Sequence, residues 1–313
     1  MKAIYTYARH EDEEELCALE LRSLFGEAAA ISHGIVASQV SDDSPSVSRS
    51  PFFKRRIQII EEAASLSELK EQLARLKPLE GTFKVLYTVG DEHHAYEDRR
   101  LLERSAGSVL KGQAEMRRPD MLFGLVRYKG SWLFGPCEEA ESIWLRHQSK
   151  PQNYSTALPT RAARAMVNIA AGGSNPQSLR MVDPCCGMGT VLIEAMSMGI
   201  AMDGIDRNPL AVRGARLNLA HFGYPDTVRL GDMRDETKRR YDAAVVDMPY
   251  NLCSVLPEEE SLEMLRSVRR LAERAVIVTT EDMTDRFKKA DFRLKNQIRL
   301  TKGSFTRYVS VVE

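Results

Sequence analysis

No sign of charge dominates the 313 residues: 44 lysines and arginines stand against 44 aspartates and glutamates, which excludes the global basic field of a general polyanion binder. Residues 1–150 carry 21 basic against 24 acidic side chains and residues 151–313 carry 23 against 20, so a nucleic-acid surface has to be a local patch. The five cysteines, Cys17, Cys137, Cys185, Cys186 and Cys253, contain no C-x-x-C pair. Their odd number suits a reducing compartment, and no zinc or other metal site is expected. No apolar run approaches the roughly 20 residues that span a bilayer. The first twenty residues turn acidic after a short strand and contain no secretory apolar core. A cytoplasmic protein with no membrane association is therefore expected. Two phosphate-binding signatures are also incomplete. Gly107 and Gly112 have the spacing of a phosphate loop, but Gln113 stands where lysine is required; Gly187 and Gly189 begin a dinucleotide fingerprint, but Leu192 replaces its third small residue.

What remains is ordinary globular composition, 43% hydrophobic and 28% charged, in a chain long enough for two or three domains. Residues 181–209, M-V-D-P-C-C-G-M-G-T-V-L-I-E-A-M-S-M-G-I-A-M-D-G-I-D-R-N-P, organise the rest. An apolar strand ends in Asp183-Pro184, a glycine turn leads into a periodic apolar helix, and a second strand over 201–205 ends in Asp206. Such a turn lets a ligand approach the backbone, and a carboxylate about 20 residues on can accept both ribose hydroxyls. Asp183, ahead of the glycines, would repel a phosphate but suits the ammonium and sulfonium of S-adenosylmethionine. The bland alternative is a βαβ turn with no nucleotide at all.

Taken in order, the chain predicts a strand over 2–7, a helix over 11–25 burying Leu16, Leu19, Leu24 and Phe25, an exposed loop over 41–50 and a strand over 52–60. Ser65-Leu66-Ser67-Glu68 is a capping box. A strand over 82–89, a surface pair His93-His94, a helix over 99–110 and a hairpin over 121–134 follow. Residues 149–158 are the best linker, and 159–171 a helix. Strands over 227–230, 241–246 and 275–279 alternate with helices, and strands 292–300 and 305–312 are joined too tightly to be anything but antiparallel. The expected fold class is α/β: an open, mostly parallel sheet with helices on both faces and a C-terminal antiparallel hairpin.

Asp183, Asp206, Asp232 and Asp247 each close a successive strand, so four acids should gather at the carboxyl edge where ligands of such sheets bind. Asp247-Met248-Pro249-Tyr250 adds a chemistry. A purine exocyclic amine is a poor nucleophile until it pyramidalises, which two acceptors on its N–H bonds favour. The Asp247 carboxylate and the Met248 carbonyl can be those acceptors, Pro249 stiffens the turn, and Tyr250 offers a stacking face. A proline turn beside a core tyrosine is the structural alternative.

D-P-C-C-G-M-G-T, G-I-D-R-N-P, G-D-M and D-M-P-Y together resemble the S-adenosylmethionine-dependent amino methyltransferases, and among them the THUMP-containing tRNA guanosine N2-methyltransferases acting at position 10. The resemblance implies a Rossmann-like class I methyltransferase domain over 173–313. Before it would come an α+β ferredoxin-like segment (1–80), a THUMP-like RNA-binding domain (81–148) and a linker with lead-in helix (149–172). It also implies that Asp183, Gly187 and Gly189 hold the methionine end of the cofactor, Asp206 its ribose and Asp232 its adenine amine, with Cys185, Thr190, Arg207 and Met233 beside them. Arg117, Arg118, Arg146 and Lys150 become candidate RNA contacts, and tRNA and a small activating protein the expected partners. Met248 departs from the family, which usually has proline there. Other readings of the same residues are methylation of an rRNA guanosine, a DNA adenine or cytosine or a protein glutamine, and a non-catalytic RNA-binding protein with a methyltransferase fold.

Overall fold

A computed structural model describes residues 2–27, 30–32, 34–39, 44–90, 94–154, 157–236, 240–249, 257–302 and 305–313. The chain divides into two compact units, residues 1–8, 28–48 and 52–141 in one, and residues 9–27, 49–51 and 142–313 in the other.

The first unit is α+β. A single sheet passes through the strands Ala30–Ser32, Ile35–Gln39, Lys2–Tyr7, Phe53–Gln58, Ser131–Glu139, Met121–Tyr128, Thr82–Thr88 and Gln113–Ala114 in that order, with Glu61–Ala63 alongside Ser131–Glu139. It therefore continues across residue 80, where the sequence suggested a domain limit. The N-cap half of the predicted capping box forms: Ser65 Oγ accepts the Glu68 N–H at 3.1 Å, starting the helix Leu66–Ala74, while the Glu68 carboxylate accepts the Ala64 N–H in place of that of Ser65. Lys129 and Gly130, both at positive φ, make the two-residue turn of the hairpin. Helices Leu66–Ala74 and Tyr96–Gly107 cover a core containing Leu69, Leu73, Ala106, Phe123 and Phe134.

The second unit is a seven-stranded α/β sheet. Numbered by chain position within this unit, the strands are Arg180–Asp183, Ala201–Asp206, Val228–Leu230, Tyr241–Asp247, Ala272–Thr279, Leu294–Lys302 and Phe305–Val312, and they lie in the order 3-2-1-4-5-7-6. The first five are parallel, and the last two form the predicted antiparallel hairpin. This is the Rossmann-like arrangement expected. Asn208 accepts the Leu210 N–H at 3.0 Å and Pro209 takes the first helical position, so the helix Pro209–His221 starts where its sequence directs.

Two assignments change. The helix Glu14–Phe25 belongs to the second unit rather than to an N-terminal domain, because its buried face carries Glu20 as well as leucines. The loop predicted as exposed over 41–50 is buried at Arg49 and Ser50; residues 41–43 lie outside the described residues. Both changes have one cause, a buried polar network. Glu20 accepts from Ser50 Oγ at 2.5 Å and Asn168 Nδ2 at 2.6 Å, and burial pushes its carboxyl up to about 7. Arg49 donates to Asn168 Oδ1 and to the carbonyls of Gly172 and Ser174. Arg164 Nε donates to the Arg49 carbonyl, and its Nη1 reaches Glu194 Oε2 at 2.8 Å. The other Glu194 oxygen is 2.6 Å from His147 Nδ1. Among the described residues no helix is long and apolar enough to cross a membrane.

Glu194 is fully buried between Arg164 and His147, so removing it strands a guanidinium in a dry site. Glu194→Ala is expected to lower unfolding stability by about 3–5 kcal/mol in urea titration of the full chain, and replacing Glu194 and Arg164 together by methionine by much less. A loss near zero for Glu194→Ala would mean that water reaches the pair.

Candidate active site

The five parallel strands of the second unit end at the same edge, and the turns after the first four line a cleft of ≈ 350 Å³. That volume lies within the range of small-molecule sites. Asp183, Asp206, Asp232 and Asp247 all border it, so the four acids expected to converge do so. Cys185, Gly187, Thr190, Arg207, Met233, Met248 and Pro249 also line it; Gly189 does not, and Tyr250 lies outside the described residues.

The glycine turn explains itself locally. Gly187 at φ +51° and Gly189 at φ +77° occupy the left-handed region, and Gly189 is the N-cap of the helix Thr190–Ser197. A side chain at Gly189 would place its Cβ 3.3 Å from that of Ala215, whereas one at Gly187 would meet open space. Asp206 organises this turn: its Oδ2 accepts the Gly187 N–H and its Oδ1 the Asn208 N–H, both at 2.8 Å. Asn218, fully buried, donates to the carbonyls of Met188 and Gln152 at 2.9 Å each, tying the turn to the segment that carries Tyr154 into the cleft wall.

The acids differ in state. Burial raises the Asp183 carboxyl well above the usual range, and the Asp247 and Asp206 charges push it further; the Cys185 N–H, 3.1 Å away, opposes them. Burial pushes Asp247 up to about 7, and the positive charge of Arg307 pulls it back. Asp247 Oδ1 is shielded from solvent and has no hydrogen-bond partner among the described residues. The Cys185 and Cys186 thiols are raised well above their ordinary value, first by burial and then by Asp183, so they stay protonated and are poor nucleophiles.

Asp232 is occupied in a way the sequence reading missed. Arg234 forks it, Nε to Oδ1 at 2.9 Å and Nη2 to Oδ2 at 2.7 Å, and this holds the carboxyl below its ordinary value. An amine reaching Asp232 would share those oxygens with the guanidinium. The D-M-R spacing, with arginine two residues past a capping aspartate, was the available signal. The Met248 departure from the family also has a structural account. Its N–H donates to the Val278 carbonyl at 3.0 Å, a bond proline cannot make, and its side chain is buried in a core with Met264 and Leu265.

The candidate RNA contacts divide. Arg117 and Arg118 are exposed in the first unit and Arg146 is exposed in the second. Lys150 has to be withdrawn as a surface contact: it is buried, desolvation lowers its pKa, and Glu194 is the charge that partly restores it.

Sheet order, glycine turn and acidic cleft together define a Rossmann-like domain of the kind that binds a nucleoside-containing small molecule at its carboxyl edge. Residues 147–304, just over half of the chain, match the family described as RMKL-like, methyltransferase domain, and the chain belongs to that family. A tRNA (guanine(10)-N2)-dimethyltransferase of Methanothermobacter thermautotrophicus is 30% identical over 179 residues, 54% of this chain and 52% of the relative. One of Pyrococcus abyssi is 30% identical over 190 residues, 57% of this chain and 56% of the relative. The chain thus spans about half the length of the curated relatives it matches. Among solved structures, TrmN from Thermus thermophilus is similar over 100% of this chain and 99% of its own, with a TM-score of 0.49 and 18% identity.

The glycine geometry is directly testable. Gly189→Ala should lower stability by about 1–2 kcal/mol, because an L side chain is forced into the left-handed region against Ala215. Gly187→Ala, with room around it, should cost less. Thermal unfolding of both variants checks the order, and the reverse order would mean the turn relaxes.

Proposed function

We propose that the protein transfers a methyl group from S-adenosylmethionine to the exocyclic N2 amine of a guanosine in tRNA, at position 10. The observation that carries this reading is Asp247 Oδ1: a dry, unpartnered carboxylate oxygen, among the described residues, in the same cleft as the glycine turn. Buried acceptors without donors are costly, so one at a cleft wall invites a ligand N–H. Family membership and the names of the archaeal relatives support the same reaction class.

When bound, S-adenosylmethionine supplies an electrophilic methyl group on a cationic sulfur. The residues present suit it. Asp183 at the floor of the turn offers a buried carboxyl that a cationic methionine end would ionise, Gly187 lets the backbone approach while Gly189 shapes the turn behind it, and Asp206, already oriented by two N–H donors, keeps lone pairs for ribose hydroxyls. Asp232 and Met233 border the place of the adenine. On the acceptor side the Asp247 carboxylate takes one amine N–H and the Met248 carbonyl the other, which favours the pyramidal nitrogen that can attack. Asp247 then receives the proton. Tyr250 provides the face on which the base stacks. Alignment of amine, methyl carbon and sulfur does most of the work.

In this reading the first unit acts as the THUMP-like grip on tRNA, with Arg117 and Arg118 contributing phosphate contacts, Arg146 contributing another from the second unit, and the enzyme working in the cytoplasm. In this reading a small activating protein docks on the edge strand Val228–Leu230, where Leu217 and Leu230 are exposed.

Mass spectrometry of tRNA nucleosides should show loss of N2-methylated guanosine in cells lacking the gene; an unchanged profile would overturn the tRNA assignment. Because Asp247 must be ionised to receive the amine proton and its pKa lies at about 7, kcat/KM should rise with pH through about 7 and level off above it. Asp247→Asn should lower kcat by about 10²–10³-fold while cofactor titration stays near wild type. Asp206→Ala should instead abolish cofactor binding.

A further inference from the structure

Acids line the cleft, and an RNA substrate is a polyanion. Four carboxylates border the site, and the cations on its cofactor side already face acids: Arg207 lies 3.4 Å from Glu260, and Arg234 lies on Asp232 and 3.2 Å from Glu263. A nucleotide whose base entered the cleft would bring its phosphates to the acceptor end, beside Asp247, where the field is otherwise repulsive.

The seventh strand, Phe305–Val312, supplies a positive group there. Asp247 pairs with Val278, and Val278 pairs with Val309, so the three share one face of the sheet. Side chains alternate along a strand, which puts Arg307, two residues before Val309, on that same face and closer to the carboxyl edge. Two strand spacings, about 10 Å, separate the backbones of Asp247 and Val309, and the two-residue offset along the strand takes Arg307 to about 12 Å, a gap that a long arginine side chain narrows. The guanidinium lies over the Phe305 ring, 4.7 Å from its centre, an arrangement that restricts its orientation. Phe305 and Arg307 are both half-buried.

We propose that Arg307, seated on Phe305, binds the backbone phosphate of the nucleotide whose base enters the cleft beside Asp247. The inference rests on the RNA methyltransferase reading and deepens it by naming the group that offsets acceptor-side repulsion. The charge of Arg307 also favours the ionised form of Asp247, so one side chain serves both substrate affinity and the state of the acceptor. The other groups acting electrostatically with Asp247 are Asp183 and Cys185, from the first strand and the turn after it; neither is a cation.

The test compares wild type, Arg307→Ala and Arg307→Lys in methyl transfer to tRNA across salt concentrations and pH, with S-adenosylmethionine binding measured separately by calorimetry. Arg307→Ala should leave cofactor affinity unchanged and raise KM for tRNA about tenfold. The slope of log(kcat/KM) against log[salt] should become shallower by about one, the signature of one lost phosphate contact. The acidic limb of kcat/KM should move to higher pH, which a merely structural role would not produce. Arg307→Lys, a point charge without the planar fork, should restore most of the salt slope and part of the affinity. An unchanged KM and salt slope in an active, folded Arg307→Ala would overturn the inference, as would a loss confined to kcat, which would place Arg307 at the base rather than the phosphate. Wild type that binds cofactor but methylates no tRNA would instead overturn the function on which it rests; filter binding of the same tRNA by both proteins would then still read the salt slope, and equal slopes would overturn the phosphate contact.

Discussion

Parallel pairing of the first five strands forces every following turn to one edge, and there four carboxylates must coexist at close quarters. Like charges in a poorly solvated cleft repel strongly, so the arrangement survives only because each acid is treated differently. Asp206 is held by two backbone N–H groups, Asp232 is neutralised by the Arg234 fork, and Asp183 and Asp247 are pushed toward protonation by burial. The cleft is thus a graded field, with a neutralised acid at one end and a titratable one at the other. Such a gradient suits a cationic donor in the middle and an amine that must give up a proton at the far side.

Around this edge the second unit is held by interactions of another kind. Glu20, Arg49, Arg164, Asn168, Glu194 and His147 form a polar chain through the interior, joining the helix Glu14–Phe25, residues 49–51 and the helix Thr160–Ala171 to the helix that starts at Gly189. Buried ion pairs add little net stability against an apolar equivalent, but removing one partner leaves a costly unpaired charge. Here the chain passes through Glu194, one turn along the helix that begins with the glycine turn, to His147. Asn218 completes the frame by fastening Met188 to Gln152. The orientation of the cleft floor depends on these contacts as much as on the sheet.

Much of the second unit could be read in advance because its signals are local. Asn208-Pro209 starts a helix by capping chemistry, Gly187 and Gly189 announce positive φ, and an acid after each strand goes wherever the strand end goes. The tight hairpin connection likewise permitted only one pairing sense. Arg234 on Asp232 was nearly legible, two residues away. Lys150 was misassigned because a lysine in a polar stretch looks solvated until Glu194, 44 positions later in sequence, is folded against it.

The amino-acid sequence by itself determined the strand and helix order, the glycine turn, the four strand-end acids and the Asp247-Met248-Pro249 turn, all of which follow from short-range steric and hydrogen-bonding preferences. Tertiary structure alone decided that the helix Glu14–Phe25 and residues 49–51 join the second unit, that Asp247 is dry enough to titrate near neutrality, and that Arg307 shares its sheet face. The physical reason is common to all three. Burial and charge are sums over neighbours brought together from distant parts of the chain, and no single stretch of sequence contains those neighbours.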